Sequence, residues 1–243
     1  MTGQLRSELL KLRTTRTTAL LMAAAAALAV FGACVEGATR ATAELAQEDA
    51  QRTMFSGGTA GVFFATLAGL LAITSEFRYG TIRPTLLFEP RRRVVLAAKG
   101  GSSSLIGLAF GAVCAALSFA AGLAILSARG VDFAVSGEHA AALALGPMVA
   151  AALSAVIGVA IGALIRNQAG AIVALAAYAF LVDAALFGAA PSVGRFLPGK
   201  AGDALAGRAD DALLVPGLGA AVLAAWTLAF AVAAIVRSDR SDV

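Results

Sequence analysis

Charged residues are scarce in this sequence. Asp, Glu, Lys and Arg make up 14% of its 243 residues, whereas 59% are hydrophobic. An ordinary soluble domain carries roughly 25% charged residues, so this chain has too few to cover the surface of a water-soluble protein of its size. Together with a mean hydropathy of +0.84, the shortage excludes a soluble globular class and predicts a protein whose solvent is the lipid bilayer.

Histidine and cysteine are nearly absent as well. His139 is the only histidine, which excludes a metal site built from clustered histidines. Cys34 and Cys114 both lie in apolar runs, which favours packing roles over a disulfide or a metal pair. No serine stands in a nucleophile-elbow setting and no HExxH motif occurs, so the sequence predicts no catalytic residues in this chain.

Long hydrophobic runs are what the sequence does have. A helix needs roughly 20 apolar residues to cross about 30 Å of hydrocarbon, and the runs show no period-two alternation, which favours helices over barrel strands. We predict an all-α membrane protein in which residues 1–243 form a single transmembrane domain. Its six spans are predicted at residues 18–35, 54–74, 102–127, 139–165, 169–188 and 213–236.

The basic residues are distributed unevenly between the connections. Lys and Arg are about twice as frequent on one side of the six spans as on the other, and the basic side of such a protein faces the cytoplasm. We therefore predict a multi-pass protein with both termini in the cytoplasm. The abundance of Ala and Gly is typical of a GC-rich bacterial genome, which indicates the bacterial plasma membrane.

A leucine pattern precedes the first span. Leu5, Leu9 and Leu12 recur at helical spacing among basic residues, which predicts an amphipathic helix lying on the inner lipid surface. The alternative is a basic segment that only flanks the span.

Glycines recur four residues apart within the spans, a spacing that lets helix backbones approach closely. The pairs are Gly57 with Gly61, Gly107 with Gly111, and Gly158 with Gly162.

The long inner connection, residues 75–99, carries the most informative motif. It reads Glu-Phe-Arg-Tyr-Gly-Thr-Ile-Arg at residues 76–83, followed by a turn rich in Pro and Arg and then Lys99 at the opening of the third span. Its apolar side chains need a covering partner, either the membrane interface or another protein. Gly80 and Pro84 interrupt any continuous helix, so we expect a short helix lying across the membrane surface.

These residues resemble the membrane subunit of type-two ABC transporters, the exporter permeases that carry drugs, lipids or polysaccharides. The segment at residues 7–13 is also typical of such permeases, and the resemblance extends to the length and topology of the whole chain. It implies a second permease chain, as a homodimer or heterodimer, and a separate ATP-binding cassette subunit that holds the ATP and magnesium. It implies no cofactor in this chain, contact with membrane lipid and no nucleic-acid partner.

By that resemblance, residues 76–83 form the coupling helix that docks on the ATP-binding subunit. Glu76 is expected to end the second span and pair with a base, and the other expected contacts are Phe77 and Tyr79 as anchors, Arg78, Gly80 at the turn, Thr81, and Arg83 toward partner carboxylates. The alternative is that these charges only stop the second span and hold the loop inside. The run Arg91–Arg93 is interpreted as an anchor for anionic lipid headgroups.

Asp183 is the one carboxylate well inside a predicted span. Placing an acid in lipid is energetically unfavourable, so we expect Asp183 to face the bundle, a partner subunit or water. It is a candidate for contact with a cationic substrate or for a proton relay; the alternative is an interfacial acid.

In the outer connection, residues 194–200 match most of a phosphate-binding loop. However, Ala201 stands where the loop has its magnesium-binding hydroxyl, and Pro198 lacks one of the backbone N–H donors that hold the phosphate. In the resembled family this connection holds short re-entrant helices, to which residues 204–205 and 212–213 are candidates to contribute.

The sequence thus predicts the transmembrane subunit of an ATP-driven exporter, with an amphipathic or lipid-like substrate. Two alternatives stay open. One is a membrane scaffold or sensor subunit that recruits a soluble partner without transport. The other is an ion-coupled carrier that depends on Asp183, although no internal inverted repeat supports it.

Overall fold

A computed structural model describes residues 16–81 and 91–239 of the chain. Throughout these residues the regular structure is helical, and six helices are long and apolar enough to cross a membrane. The predicted all-α class with six spans is confirmed to that extent. The predicted amphipathic helix around Leu5–Leu12 lies outside the described residues, as do Ile82 and Arg83 of the predicted coupling segment at residues 76–83.

The spans alternate with short helices at the connections. In chain order the described helices are α1 (Arg16–Thr39), α2 (Thr42–Leu45), α3 (Glu48–Phe55), α4 (Gly58–Tyr79), α5 (Arg92–Arg129), α6 (Gly137–Ile165), α7 (Gln168–Ala177), a π-helical turn (Tyr178–Val182), α8 (Asp183–Ala189), α9 (Pro191–Gly194), α10 (Pro198–Leu205) and α11 (Pro216–Asp239). Span one is α1, span two is α4 preceded by α3, spans three and four are α5 and α6, span five is α7 with the π turn and α8, and span six is α11.

Two spans are longer than the hydropathy of the sequence indicates. Helix α4 continues to Tyr79 and α5 starts at Arg92, so much of the predicted loop 75–99 is helical and the connection between them is residues 80–91. The 38 residues of α5 extend about 57 Å at 1.5 Å per residue, well beyond the hydrocarbon core. Hydropathy identifies only the residues that favour the hydrocarbon core. The helical backbone hydrogen bonds continue beyond them, through the polar interface.

Helices α4, α5 and α6 form the centre of the bundle. They pack against one another more extensively than any other elements, and α1, span five and α11 lie around them with most of their apolar surface exposed. All six glycines of the predicted close-packing pairs lie where a Cβ atom would meet a neighbouring helix, which confirms the prediction. The group is Gly57, Gly61, Gly107, Gly111, Gly158 and Gly162.

The backbone contacts at these glycines are direct. A Cβ on Gly158 of α6 would overlap the carbonyl oxygen of Thr66 in α4, and one on Gly107 of α5 would overlap that of Ala151 in α6. Because helices in lipid associate by close approach and not by hydrophobic burial, these contacts hold the three central helices together as one unit.

The bundle has two chemically different ends. The arginine end is the end where α4 stops and α5 and α7 start; Arg78 Nη1 there donates to Gln168 Oε1 at 3.3 Å, and the Arg166 guanidinium lies 5.7 Å from the centre of the Phe77 ring. The loop end is the opposite end and carries residues 40–57, 130–136 and 190–215. Buried Gln51 ties the loop end together, donating to the carbonyl oxygen of Asp132 and accepting from the Ala134 N–H.

Candidate functional site

A buried ion pair joins spans two and three near the arginine end. Lys99 Nζ of α5 lies 2.7 Å from Glu76 Oε1 of α4, and the Lys99 side chain is only 1% exposed. The same ammonium lies 3.5 Å from the Ala72 carbonyl oxygen. The sequence predicted that Glu76 pairs with a base, and that base is Lys99. Because both charges are removed from water, loss of either partner leaves a costly unpaired charge.

The end of α4 presents one face outward and another inward. Tyr79 is 72% exposed, and the Arg78 guanidinium lies 5.6 Å from the centre of its ring. Gly80 then ends the helix with a φ of +70°, a left-handed conformation that glycine adopts without the strain of a Cβ atom. Exposed Thr81 is the last described residue before the gap.

Phe77 lies on a different face of α4 from Tyr79. Its ring is half-buried, packs against the cluster around Ile73 and lies under the Arg166 guanidinium. Successive helix residues are about 100° apart, so Phe77 and Tyr79 face different directions. Of the two aromatic residues predicted as anchors, only Tyr79 projects away from the bundle. Arg83, the remaining predicted contact, lies outside the described residues.

Asp183 lies in a cluster of charged groups in the half of the bundle nearer the loop end. It is the first residue of α8 and is 6% exposed. Tyr178 Oη donates to Asp183 Oδ1 at 3.1 Å, and Lys200 Nζ lies 3.5 Å from Asp183 Oδ2 and 3.4 Å from Asp203 Oδ2. A Cβ atom on Gly199 would lie 2.6 Å from Asp183 Oδ1, so the carboxylate lies directly against the backbone of α10. We call Asp183, Lys200 and Asp203 the Asp183 cluster.

A π-helical turn places Tyr178 and Asp183 on the same side of span five. The turn covers Tyr178–Val182 and separates α7 from α8. Five residues in an ordinary α-helix lie about 140° apart, whereas the wider π turn brings residues i and i+5 together. Single π turns inside α-helices are rare and are often found at functional sites.

The connection between spans five and six, residues 190–215, supplies the other half of the Asp183 cluster. It forms α9 and α10, and α10 packs between α6 and α11: a Cβ on Gly146 of α6 would overlap the Leu205 carbonyl oxygen, and one on Gly219 of α11 would lie 2.8 Å from that of Ala201. Ala204 and Leu205 belong to α10, as expected for a short helix in this connection. Ala212 and Leu213 lie in a turn and not in a helix.

The segment that matches a phosphate-binding loop takes part in this arrangement. It runs from α9 into α10 and ends at Lys200, whose ammonium is engaged by the carboxylates of Asp183 and Asp203. A phosphate-binding loop instead directs its lysine to a phosphate and follows a β-strand. The geometry therefore gives Lys200 a role inside the bundle.

Burial changes the acidity of Asp203. Removal from water raises the pKa of the Asp203 carboxyl above its usual value. Arg208 and Lys200 favour the charged form and lower this pKa, while the Asp183 carboxylate adds to the increase. Arg208 reaches the carboxylate at 3.5 Å from a position that is 46% exposed. The negative charge of Asp203 is therefore only partly compensated by its neighbours.

A cleft of about 500 Å³ opens beside the Asp183 cluster. Spans two and four form its floor, α10 closes its outer end, and spans five and six form its sides without packing extensively against each other. Most of the lining is apolar or aromatic. The lining includes Val62, Phe63, Ile157, Ile161, Leu175, Tyr178, Phe180, Leu197, Trp226 and Phe230, together with all three residues of the Asp183 cluster.

Sequence reasoning found only part of this site. It singled out Asp183 as an acid inside a span, but not Tyr178, Lys200 or Asp203. The only local signal for Tyr178 was its position five residues before Asp183, which matters only in a π turn. Lys200 and Asp203 belong to the outer connection, and nothing in their local sequence shows that α10 lies against span five.

Comparison with known proteins adds no assignment to this geometry: no protein-family model matches the chain, and no curated protein matches it.

Proposed function

We propose that the chain is the membrane subunit of an ATP-driven exporter of the type-two ABC class, in a bacterial plasma membrane with the arginine end in the cytoplasm. A separate ATP-binding cassette subunit binds and hydrolyses ATP at that end, and a second permease chain completes the translocation pathway. The transported molecule is amphipathic or lipid-like. The resemblance of residues 76–83 to the coupling segment of such permeases is the starting point of the proposal.

The observation that carries the proposal is the construction of the end of α4. An exposed aromatic side chain, Tyr79, stands at the tip, and the Glu76–Lys99 pair fixes the preceding turn of α4 to α5. Exposed aromatic anchors are typical of protein–protein contacts. A partner bound at this tip would therefore act on α4 and α5 together, and not on a loose connection.

The packing of the central helices supports transmission of such a movement. Gly158 and Gly162 of α6 lie directly against the backbone of α4, and Gly107 of α5 lies against α6. Helices in such close contact move as a unit or slide along each other, because their cores do not deform continuously. ATP-driven closure of the partner subunits would shift the bundle between two states only if the partner binds them with different affinities.

The first experiment tests for the partner. The tagged full-length chain is purified from its native membranes and labelled with a photoreactive azido-ATP. We expect a nucleotide-labelled soluble chain to copurify with the wild type, and the tagged chain itself to stay unlabelled. Tyr79→Ala and Arg83→Glu are expected to remove most of the labelled partner. Phe31→Ala is the matched control, because it deletes an aromatic side chain of similar exposure from the half of α1 nearer the loop end. This variant is expected to retain the labelled partner.

The second experiment tests the orientation. In a variant without Cys34 and Cys114, Thr81→Cys is expected to react with a membrane-impermeant maleimide only from the cytoplasmic side. Reaction from the outside contradicts the proposal, because no ATP-binding subunit could then reach this segment. Copurification of a soluble chain that binds no nucleotide indicates a scaffold or sensor subunit instead. Flux in reconstituted vesicles that follows an ion gradient without ATP indicates a secondary carrier.

A further inference from the structure

The cleft beside the Asp183 cluster has the size and the lining of a small-molecule site. Its volume of about 500 Å³ lies within the range of roughly 300–1,000 Å³ that is usual for ligand pockets. The lining is mostly apolar with a few convergent polar groups, which is also typical of such sites. All of its lining residues belong to one chain, and it lies between spans five and six.

The cleft opens sideways onto the apolar surface of the bundle. Phe180 lines it and is 67% exposed, and Trp226 lines it from the other side and is 37% exposed. Leu181 and Val182 continue the exposed apolar surface next to Phe180. A molecule dissolved in the bilayer therefore reaches the cleft without crossing the polar connections.

More carboxylates than cations line the cleft. Asp183 and Asp203 contribute two carboxylates, and Lys200 contributes one ammonium that they share. Arg208 supplies a second positive charge to Asp203 at 3.5 Å, but from a position that does not line the cleft. Burial raises the pKa of the Asp203 carboxyl despite these two cations. A cationic head group in the cleft would therefore meet mainly the carboxylate side of the cluster.

Aromatic residues form much of the cleft wall. The rings of Phe63, Tyr178, Phe180, Trp226 and Phe230 all line the cleft. Aromatic faces attract ammonium groups, most strongly where water is excluded. An anionic head would instead meet two carboxylates and a single, already shared ammonium.

We propose that this cleft binds a single-chain amphiphile with a cationic amine head, the head lying at Asp183 and Asp203 and the apolar chain lying along the cleft between spans five and six. The binding site follows from this chain alone. That the bound amphiphile is also the transported molecule rests on the proposed function.

The single tryptophan of the chain reports on occupancy. Trp226 lines the cleft, and its indole Nε1–H donates to the Phe196 carbonyl oxygen at 2.9 Å. The full-length chain is placed in nanodiscs of zwitterionic lipid, without ATP and without a partner subunit. Its fluorescence is titrated with dodecyltrimethylammonium brominated at mid-chain, and in parallel with dodecanoate brominated at the same positions, because bromine quenches tryptophan at short range.

We expect saturable quenching by the cationic probe and weaker, non-saturating quenching by the anionic one. Asp183→Asn is expected to raise the dissociation constant of the cationic probe about tenfold, as for the loss of one charged hydrogen-bonding partner. Asp211→Asn removes the same charge from an exposed position in the outer connection and is expected to change nothing. Ala174→Phe fills the cleft from an exposed position on α7 and is expected to abolish saturation.

Three results would overturn the proposal. They are equal or tighter binding of the anionic probe, quenching by the cationic probe that never saturates, and equal effects of Asp183→Asn and Asp211→Asn. The emission maximum of Trp226 in each variant before titration shows whether the region around the cleft has kept its structure. If a nucleotide-labelled partner copurifies and the probe does not bind, only this inference fails; if the probe binds and no partner is found, only the proposed function fails.

Discussion

Two groups of buried charges lie at opposite ends of the bundle and differ in construction. The pair of Glu76 and Lys99 holds one charge of each sign between α4 and α5, with side chains 8% and 1% exposed. The Asp183 cluster holds two carboxylates for one ammonium and lines a cleft of about 500 Å³. The first group is sealed between two helices, whereas the second faces an open cleft.

The difference suits the Glu76–Lys99 pair to holding two helices together and the Asp183 cluster to binding a ligand. A pair buried between two helices is out of reach of a ligand, and it sets the relative position of the two helices instead. Carboxylates that line an open cleft can be reached by a ligand. The surrounding packing follows the same division, since the central helices are in backbone contact while spans five and six stay apart.

The largest expected effect tests the sealed pair. Lys99→Met leaves the Glu76 carboxylate buried without its ammonium partner, and loss of one member of a buried pair typically costs about 3–5 kcal/mol of the free energy of unfolding. Lys200→Met is expected to cost less than half as much, because Lys200 is 17% exposed and its contacts are at 3.4–3.5 Å. Reversible unfolding in mixed micelles, followed by circular dichroism, measures both.

A double variant serves as the control for that experiment. Glu76→Leu combined with Lys99→Met removes both charges and is expected to recover most of the loss, because apolar replacement of a whole buried pair is often neutral. Equal losses for Lys99→Met and Lys200→Met would remove the distinction between the two charge groups.

A smaller effect tests the close packing of the central helices. Gly158→Ala places a methyl group on the Thr66 carbonyl oxygen, so α4 and α6 must move apart, at a cost of about 1–3 kcal/mol. The matched control is Gly32→Ala, because a Cβ atom at Gly32 meets nothing within 4 Å. The same unfolding assay is used, and a Gly158→Ala variant as stable as Gly32→Ala would contradict the backbone contact.

The smallest effect is a pH dependence at the open cluster. Since burial raises the pKa of Asp203 in the folded protein, the folded state holds this proton more tightly than the unfolded chain. The stabilisation from position 203 is therefore present at low pH and declines as pH rises from the usual carboxyl value of 3.8 through the raised one. The melting temperature of the wild type relative to Asp203→Asn is expected to increase as pH falls.

Lys200, Arg208 and Asp183 face the Asp203 carboxylate, and all three are present in both proteins of that comparison. Subtracting one melting curve from the other removes their contributions to first order. A difference that is constant with pH, or that favours the variant at low pH, contradicts the raised pKa.

Sequence reasoning located the helices more reliably than the contacts between them. The six spans and the close-packing glycines followed from local patterns, and the structure confirms them. The pairing of Glu76 with a base was expected from the family resemblance, and the structure shows that base as Lys99. The inward position of Phe77 did not follow, because the predicted loop is in fact the last turn of α4. The motif at residues 76–83 stays a prediction as a coupling segment, with Arg83 outside the described residues.

The sequence by itself determined that this chain is a bundle of six membrane helices with close contacts between small residues. Hydropathy and glycine spacing are properties of neighbouring residues, and the energy of burying backbone groups in lipid leaves helices as the only outcome for such runs. Only the tertiary structure decided that Asp183 meets Lys200 and Asp203 at the end of a cleft. That meeting depends on a π turn in span five and on α10 packing between α6 and α11, which are relations between segments distant in the chain.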